Sequence, residues 1–281
     1  MFKRLLFFLS LSLTSLVSYA ENLTVTFGIY GSDRLSEIER KFHPLLKSLE
    51  DSLTKSTNKS VEIKMIFYNR YEDGINAVAR GEVDIARLGA VSYVLAKKQN
   101  PGISIIATET FHNKKTFNGV ICVNSKSTIN SLKDLKGKSF AFANQRSTSG
   151  RYMSQQFLYE NNIIASSFSK YGYFLKHGEV AMAVAQGRYD AGVFKDEILK
   201  NKIISKVLRV IATFPVVTHP WVASENLPGD LKVTIQQSLL NLEDKSVFKG
   251  LERDGFALSD NFEYDKVRLA VENNHLFFND N

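Results

Sequence analysis

Ser147, Thr148 and Ser149 stand side by side with Gly150, separated by three residues from the apolar run 140–143 and placed before a helical stretch at 152–159. Three adjacent hydroxyls at a strand-to-helix turn suit an oxyanion. The first amide hydrogens of a helix have no partner within it, its dipole is positive there, and each hydroxyl adds a donor. Ser and Thr also cap helices where no ligand is involved; the glycine, which lets a ligand approach the backbone closely, turns the reading toward a site. His177 precedes the helical stretch 180–185, and Tyr71 opens the one at 71–79, so each could supply a donor at another helix start. An aromatic in that position is otherwise more often a packing residue, and Arg87 faces either a crevice or solvent.

Other chemistries find less support. The 5 histidines, His43, His112, His177, His219 and His275, include no pair at helical zinc spacing, and Cys122 is the single cysteine. Thiolate metal sites and an intrachain disulfide are therefore excluded, and neither a metal nor another cofactor is expected. Ser147, His177 and Asp190 could be imagined as a hydrolytic triad. No G-x-S-x-G elbow surrounds the serine, so no catalytic residue is assigned and the chain is read as a non-enzyme. The formal charge of +7 is spread without a dense basic block, which argues against nucleic acid and mildly favours a small anionic ligand.

The elements that must position these residues alternate. Residues 23–29 read as a strand, 35–53 as an amphipathic helix, 61–68 as a strand, 71–79 as a helix, 83–88 as a short strand and 91–98 as a helix. That order predicts an α/β chain with mostly parallel sheets. A strand ends near residue 109 and another begins at 117, which reads as a first crossing between two lobes; residues 210–217 are a candidate second crossing. The lobes are then 21–112 with a return segment at 215–281, and 113–214. An internal echo supports two similar lobes: Ala79-Arg-Gly-Glu-Val-Asp84-Ile-Ala86 is matched by Ala185-Gln-Gly-Arg-Tyr-Asp190-Ala-Gly192. In each, glycine stops a helix and aspartate opens a buried strand.

Residues 1–20 carry Lys3 and Arg4, an apolar run, and small residues ending in Ala20. This is the pattern of a secretory signal peptide cleaved after Ala20, with Glu21 following where a lipoprotein would have cysteine. A periplasmic, monomeric protein is expected.

At these residues the chain resembles the periplasmic substrate-binding proteins of phosphate, phosphite and phosphonate ABC importers. The likeness rests on Tyr71-Glu-Asp-Gly-Ile, Gly81-Glu-Val-Asp84-Ile-Ala-Arg-Leu-Gly89 with Ser92-Tyr93, Leu132-Lys-Asp-Leu-Lys-Gly137-Lys, Ser147-Thr148-Ser149-Gly150, and His177 ahead of 181–185. The resemblance implies a two-lobed type II periplasmic-binding-protein fold with the ligand cleft between the lobes, and a membrane permease as partner. It also implies that Tyr71, Ser147, Thr148, Ser149 and His177 contact the phosphoryl oxygens. Where some members hold an aminoalkyl tail with an aromatic and an acid, this chain has Leu88 and His219, which weakens an aminophosphonate assignment; Glu197 remains a possible amine partner. A ligand sensor reporting to a membrane receptor is the alternative role for the same fold.

Overall fold

The computed structural model describes residues 22–31 and 33–278. The expected leader, 1–20, lies outside them.

The first lobe is built on a six-stranded sheet. Its strands are β1 (Asn22–Tyr30), β2 (Ser60–Tyr68), β3 (Ile85–Arg87), β4 (Ser104–Thr110), β10 (Pro220–Ala223) and β11 (Gly255–Ala257), in the spatial order β11-β4-β10-β3-β1-β2. The second lobe has β5 (Thr116–Asn124), β6 (Ser139–Phe142), β7 (Lys170–Tyr173), β8 (Ala191–Lys195) and β9 (Leu208–Val217), in the order β7-β6-β8-β5-β9. Helices cover both faces of each sheet. In the first lobe α1 (Leu35–Thr57) and α7 (Gly229–Leu240) lie on one face. On the other are α2 (Tyr71–Ala79), α3 (Ala90–Gln99) and α8 (Asp265–Glu272). The second lobe carries α4 (Met153–Glu160), α5 (His177–Ala185), α6 (Lys202–Val207) and, from the chain end, α9 (Asn274–Phe278).

Of the α1 stripe predicted from spacing, Ile38, Phe42, Leu45, Leu46, Leu49 and Leu53 are buried and meet Phe27 and Trp221 of the sheet, while Leu35 at the helix start is exposed. Phe27 and Trp221 lie 4.7 Å apart between ring centroids. Fully burying each such side chain stabilises the fold by about 1.5–3 kcal/mol, which matters in a chain whose lone cysteine, Cys122, is free and buried.

The sheets are mixed rather than mostly parallel. β1 pairs in parallel with β2 and β3, and β6 with β7 and β8, each through a helical crossover. The strands flanking the passages between lobes run antiparallel: β10 on β3 and β4, and β5 on β8 and β9. A chain that leaves one sheet directly for the other and later returns reverses direction without a crossover helix, and antiparallel pairing follows. Residues 210–217, read as a crossing from sequence, lie within β9, which pairs with β5 up to Val217. The passage itself is 218–219. There the Thr218 hydroxyl donates to the carbonyl oxygen of Glu109, and its amide donates to Lys115 O at 2.9 Å, so the two passages are tied together. The return segment drawn as 215–281 therefore shares residues with the second lobe at both ends, since Phe277 of α9 packs into that lobe's core.

The internal echo has a physical counterpart. Gly81 and Gly187 follow the ends of α2 and α5 with φ of +69° and +72°, the left-handed region where a Cβ is costly. Next, the Asp84 carboxylate accepts hydrogen bonds from the amide and hydroxyl of Thr26, both at 2.7 Å. Asp190 accepts from the amide and hydroxyl of Ser139 at 2.8 and 2.6 Å. In both lobes an aspartate ahead of a strand pins the residue just before the paired stretch of the parallel neighbour, Thr26 before Phe27 and Ser139 before Phe140.

Candidate functional site

Ligands of α/β proteins collect beyond the carboxyl ends of parallel strands, and here those ends from both lobes face one cavity of about 880 Å3. β1 ends at Tyr30, β3 at Arg87 and β8 at Lys195; β2, β6 and β7 lead into Tyr71, Ser147 and His177 respectively. All of these residues line the cavity.

At one end are helix beginnings. Tyr71 is the first residue of α2, and His177 the first of α5. Ser147 caps a single π-helical turn, Thr148–Tyr152, that runs into α4, and its hydroxyl accepts from the Gly150 amide at 3.0 Å. The helix thus starts four residues earlier than its apolar pattern predicts. That wider first turn leaves Ser149 Oγ buried and without a hydrogen-bond partner among the described residues. Thr148 reaches across the cleft, where its Oγ1 accepts from the Val91 amide in the first turn of α3 at 3.0 Å. Its own hydrogen stays available. Gly89, which caps α3, donates to the Tyr30 hydroxyl at 2.7 Å. A Cβ at Gly89 would lie 3.2 Å from that hydroxyl, tighter than ordinary contact, and 3.5 Å from Thr148 Oγ1 of the other lobe.

The five donors predicted from sequence, Tyr71, Ser147, Thr148, Ser149 and His177, line this one cavity. Burial lowers the His177 pKa to about 3, with the Lys195 charge pushing the same way. The ring is therefore neutral near pH 7 and carries a single N–H. Its Nε2 lies 3.4 Å from Ser147 Oγ, and its Nδ1 has no partner among the described residues. Asp190, imagined as a triad member, is occupied with Ser139, so no triad assembles. The Tyr71 phenol has its pKa raised by burial and, secondarily, by Tyr30, whose ring centroid is 4.5 Å away; it stays protonated as a donor.

The other end is charged, and the sequence reading missed most of it. Glu109 of β4 is buried with both oxygens engaged. Oε1 accepts from Arg87 Nε at 2.5 Å and Trp221 Nε1 at 3.1 Å; Oε2 accepts from Arg87 Nη2 at 2.9 Å and Arg253 Nε at 3.1 Å. Burial would raise its pKa, but the charges and hydrogen bonds of Arg87 and Arg253 outweigh it and hold the group ionised. Arg87, left open between crevice and solvent, thus lines the cavity. Arg253 also donates from Nη1 to Glu197 Oε1 at 2.8 Å, joining the lobes. His219 lines this end, held neutral by burial and by Arg87, Lys195 and Arg253. Leu88 does not line the cavity; it is packed in the first-lobe core. The signal for this end was Glu109 itself, a lone acid in the apolar strand segment 103–109.

Around the rim, Glu72 pairs with Arg146 at 2.7 Å, Asp33 with Lys176 at 3.3 Å and Glu252 with Lys200 at 2.6 Å, each across the cleft.

Two lobes with a polar, partly charged cavity between them define a solute-binding protein. Residues 27–264 match the family described as ABC transporter, phosphonate, periplasmic substrate-binding protein, and the chain belongs to that family. Among curated relatives, a Prochlorococcus marinus protein described as a probable ABC transporter phosphite binding protein is 26% identical over 226 residues, covering 74% of this chain and 73% of the relative. The phosphonates-binding periplasmic protein of Escherichia coli is 28% identical over 264 residues, covering 88% of this chain and 75% of the relative. Among solved structures, the Prochlorococcus marinus PhnD1 complex with methylphosphonate superposes with a TM-score of 0.77 at 23% identity, over 90% of this chain and 98% of that one. It shares the fold. The family is one of transport proteins rather than enzymes. Among the described residues no helix is long and apolar enough to cross a membrane.

Proposed function

We propose that this chain captures a small phosphorus oxyanion (phosphate, phosphite or a phosphonate) between its lobes in the periplasm and presents it to the permease of an ABC importer. The observation that carries this reading is the convergence of Tyr71, Ser147, Thr148, Ser149 and His177 on one cavity at the first turns of helices, with Ser149 Oγ unpartnered.

Oriented hydroxyl and amide donors replace the hydration shell of the anion, and charge-assisted hydrogen bonds of this kind are roughly twice as strong as neutral ones. A neutral His177 adds a donor without a full charge. Ligand bound to the second-lobe donors would draw in Tyr71 and the start of α3, with the passages at 111–115 and 218–219 as the hinge. The rim ion pairs are too exposed to hold the lobes shut alone, being worth up to about 1 kcal/mol each; the Arg253–Glu197 pair and the Thr148–Val91 hydrogen bond add to them across the cleft, and a ligand touching both lobes adds its own contacts.

Thermal unfolding with phosphate, phosphite, methylphosphonate and 2-aminoethylphosphonate tests the assignment. A ligand at a hundred times its Kd stabilises by about 2.7 kcal/mol, a rise of several degrees in Tm for a protein of this size. No shift with any of the four would overturn the ligand assignment.

A further inference from the structure

Lys195, the last residue of β8, lines the cavity opposite Arg87 and Arg253 of the other lobe. Its ammonium lies 5.4 Å from the centre of the Phe117 ring and makes no hydrogen bond or ion pair with any described residue. The neighbouring acids are already committed. Both oxygens of Glu109 are taken by Arg87, Arg253 and Trp221, and Glu197 is held by Arg253. This end of the cavity thus holds three cations, Arg87, Lys195 and Arg253, against two anions, Glu109 and Glu197. His177 and His219 are neutral and do not change that balance. Desolvation lowers the Lys195 pKa to about 8, opposed by Glu197 and reinforced by Arg253 and Arg87; an ammonium short of counter-charge behaves this way.

An arriving ammonium would raise the local excess from one positive charge to two, while a carboxylate would cancel it. The cavity, at about 880 Å3, falls within the range of about 300–1,000 Å3 typical of sites for organic ligands and has room beyond a lone tetrahedral anion.

We infer that Lys195 makes the charged end of the cavity a receptor for a second anionic group, so that the preferred ligand is a short phosphonocarboxylic acid rather than an aminoalkylphosphonate. This rests on the oxyanion reading of the hydroxyl end and narrows it. The same charge count identifies Lys195 as the residue setting specificity.

Calorimetric titration at pH 7 with methylphosphonate, phosphonoacetate, 3-phosphonopropionate and 2-aminoethylphosphonate tests it. At least one carboxylate-bearing ligand is expected to bind tenfold or more tighter than methylphosphonate, about 1.4 kcal/mol, with 2-aminoethylphosphonate weakest. In Lys195→Met and Lys195→Gln the ratio of carboxylate-ligand to methylphosphonate affinity should fall by tenfold or more. Two substitutions guard against one that misfolds, with thermal unfolding as the check. If 2-aminoethylphosphonate binds as tightly as the carboxylates while methylphosphonate also binds, the inference fails and the oxyanion reading stands. An unaltered ratio in both folded variants overturns the role of Lys195. Should none of the four bind, the oxyanion reading falls and takes this inference with it.

Discussion

At one end of the cavity Ser147, Thr148, Ser149 and His177 come from the starts of two helices of one lobe and bring no formal charge near neutral pH. At the other, Arg87, Lys195, Glu197 and Arg253 line the cavity with Glu109 buried against the two arginines; the five come from four segments of both lobes and bring five charges. The first end offers donors whose geometry is set by local backbone, with one hydroxyl left over. The second is an ion network of Arg87, Glu109, Glu197 and Arg253 whose buried members stabilise only as a set, with Lys195 beside it and outside its hydrogen bonds. Breaking it should therefore damage the fold first and binding second, whereas changes at the first end should damage binding and spare the fold.

Glu109→Ala sharpens this contrast most. It leaves Arg87 and Arg253 without their shared carboxylate, and removing one partner of a buried ion pair costs about 3–5 kcal/mol. Urea unfolding should show a loss of that order; a loss under 1 kcal/mol would mean that the network is not stabilising. Ser149→Ala comes next. It removes a hydroxyl that has no hydrogen-bond partner among the described residues, so stability should hardly change. Affinity for methylphosphonate should fall by roughly ten- to a hundredfold, the worth of a hydrogen bond to a charged group, about 1.5–3 kcal/mol. Equal affinity with and without the hydroxyl would remove Ser149 from the site.

The remaining expected effect is acid sensitivity between about pH 6.5, the usual histidine pKa, and about 3, the folded pKa of His177. His177 and His219 have folded pKa values below the usual 6.5. As pH falls through this window the unfolded chain takes up protons that the folded chain refuses, and stability drops by at most about 1.4 kcal/mol per pH unit for each histidine. Above pH 6.5 both states leave the rings neutral and the effect vanishes. His177→Gln should flatten part of the slope in a pH series of thermal unfolding; an unchanged slope would mean that the ring titrates normally.

The same contrast explains what could be read in the sequence. The donor end was legible because each of its parts is marked by its own chain neighbours: a hydroxyl run after a strand, and an aromatic and a histidine each at the start of an apolar helical stripe. Local spacing is what helix starts depend on. The paired glycine and aspartate at 81–84 and 187–190 were legible for the same reason. The charged end was not, because Glu109 and Arg253 are brought together by the pairing of β11 on β4, a contact between residues 144 positions apart. Nor did period-based reading reveal that residues 210–217 continue β9, since an extended passage between lobes and a sheet strand carry the same alternation.

The most direct test is the structure of this protein with methylphosphonate. The account predicts phosphoryl oxygens within hydrogen-bonding distance of Ser149 Oγ and the hydroxyls of Ser147 and Thr148, with Tyr71 closing from the other lobe. Phosphoryl oxygens bound instead by Arg87, Lys195 and Arg253, with those hydroxyls untouched, would contradict it.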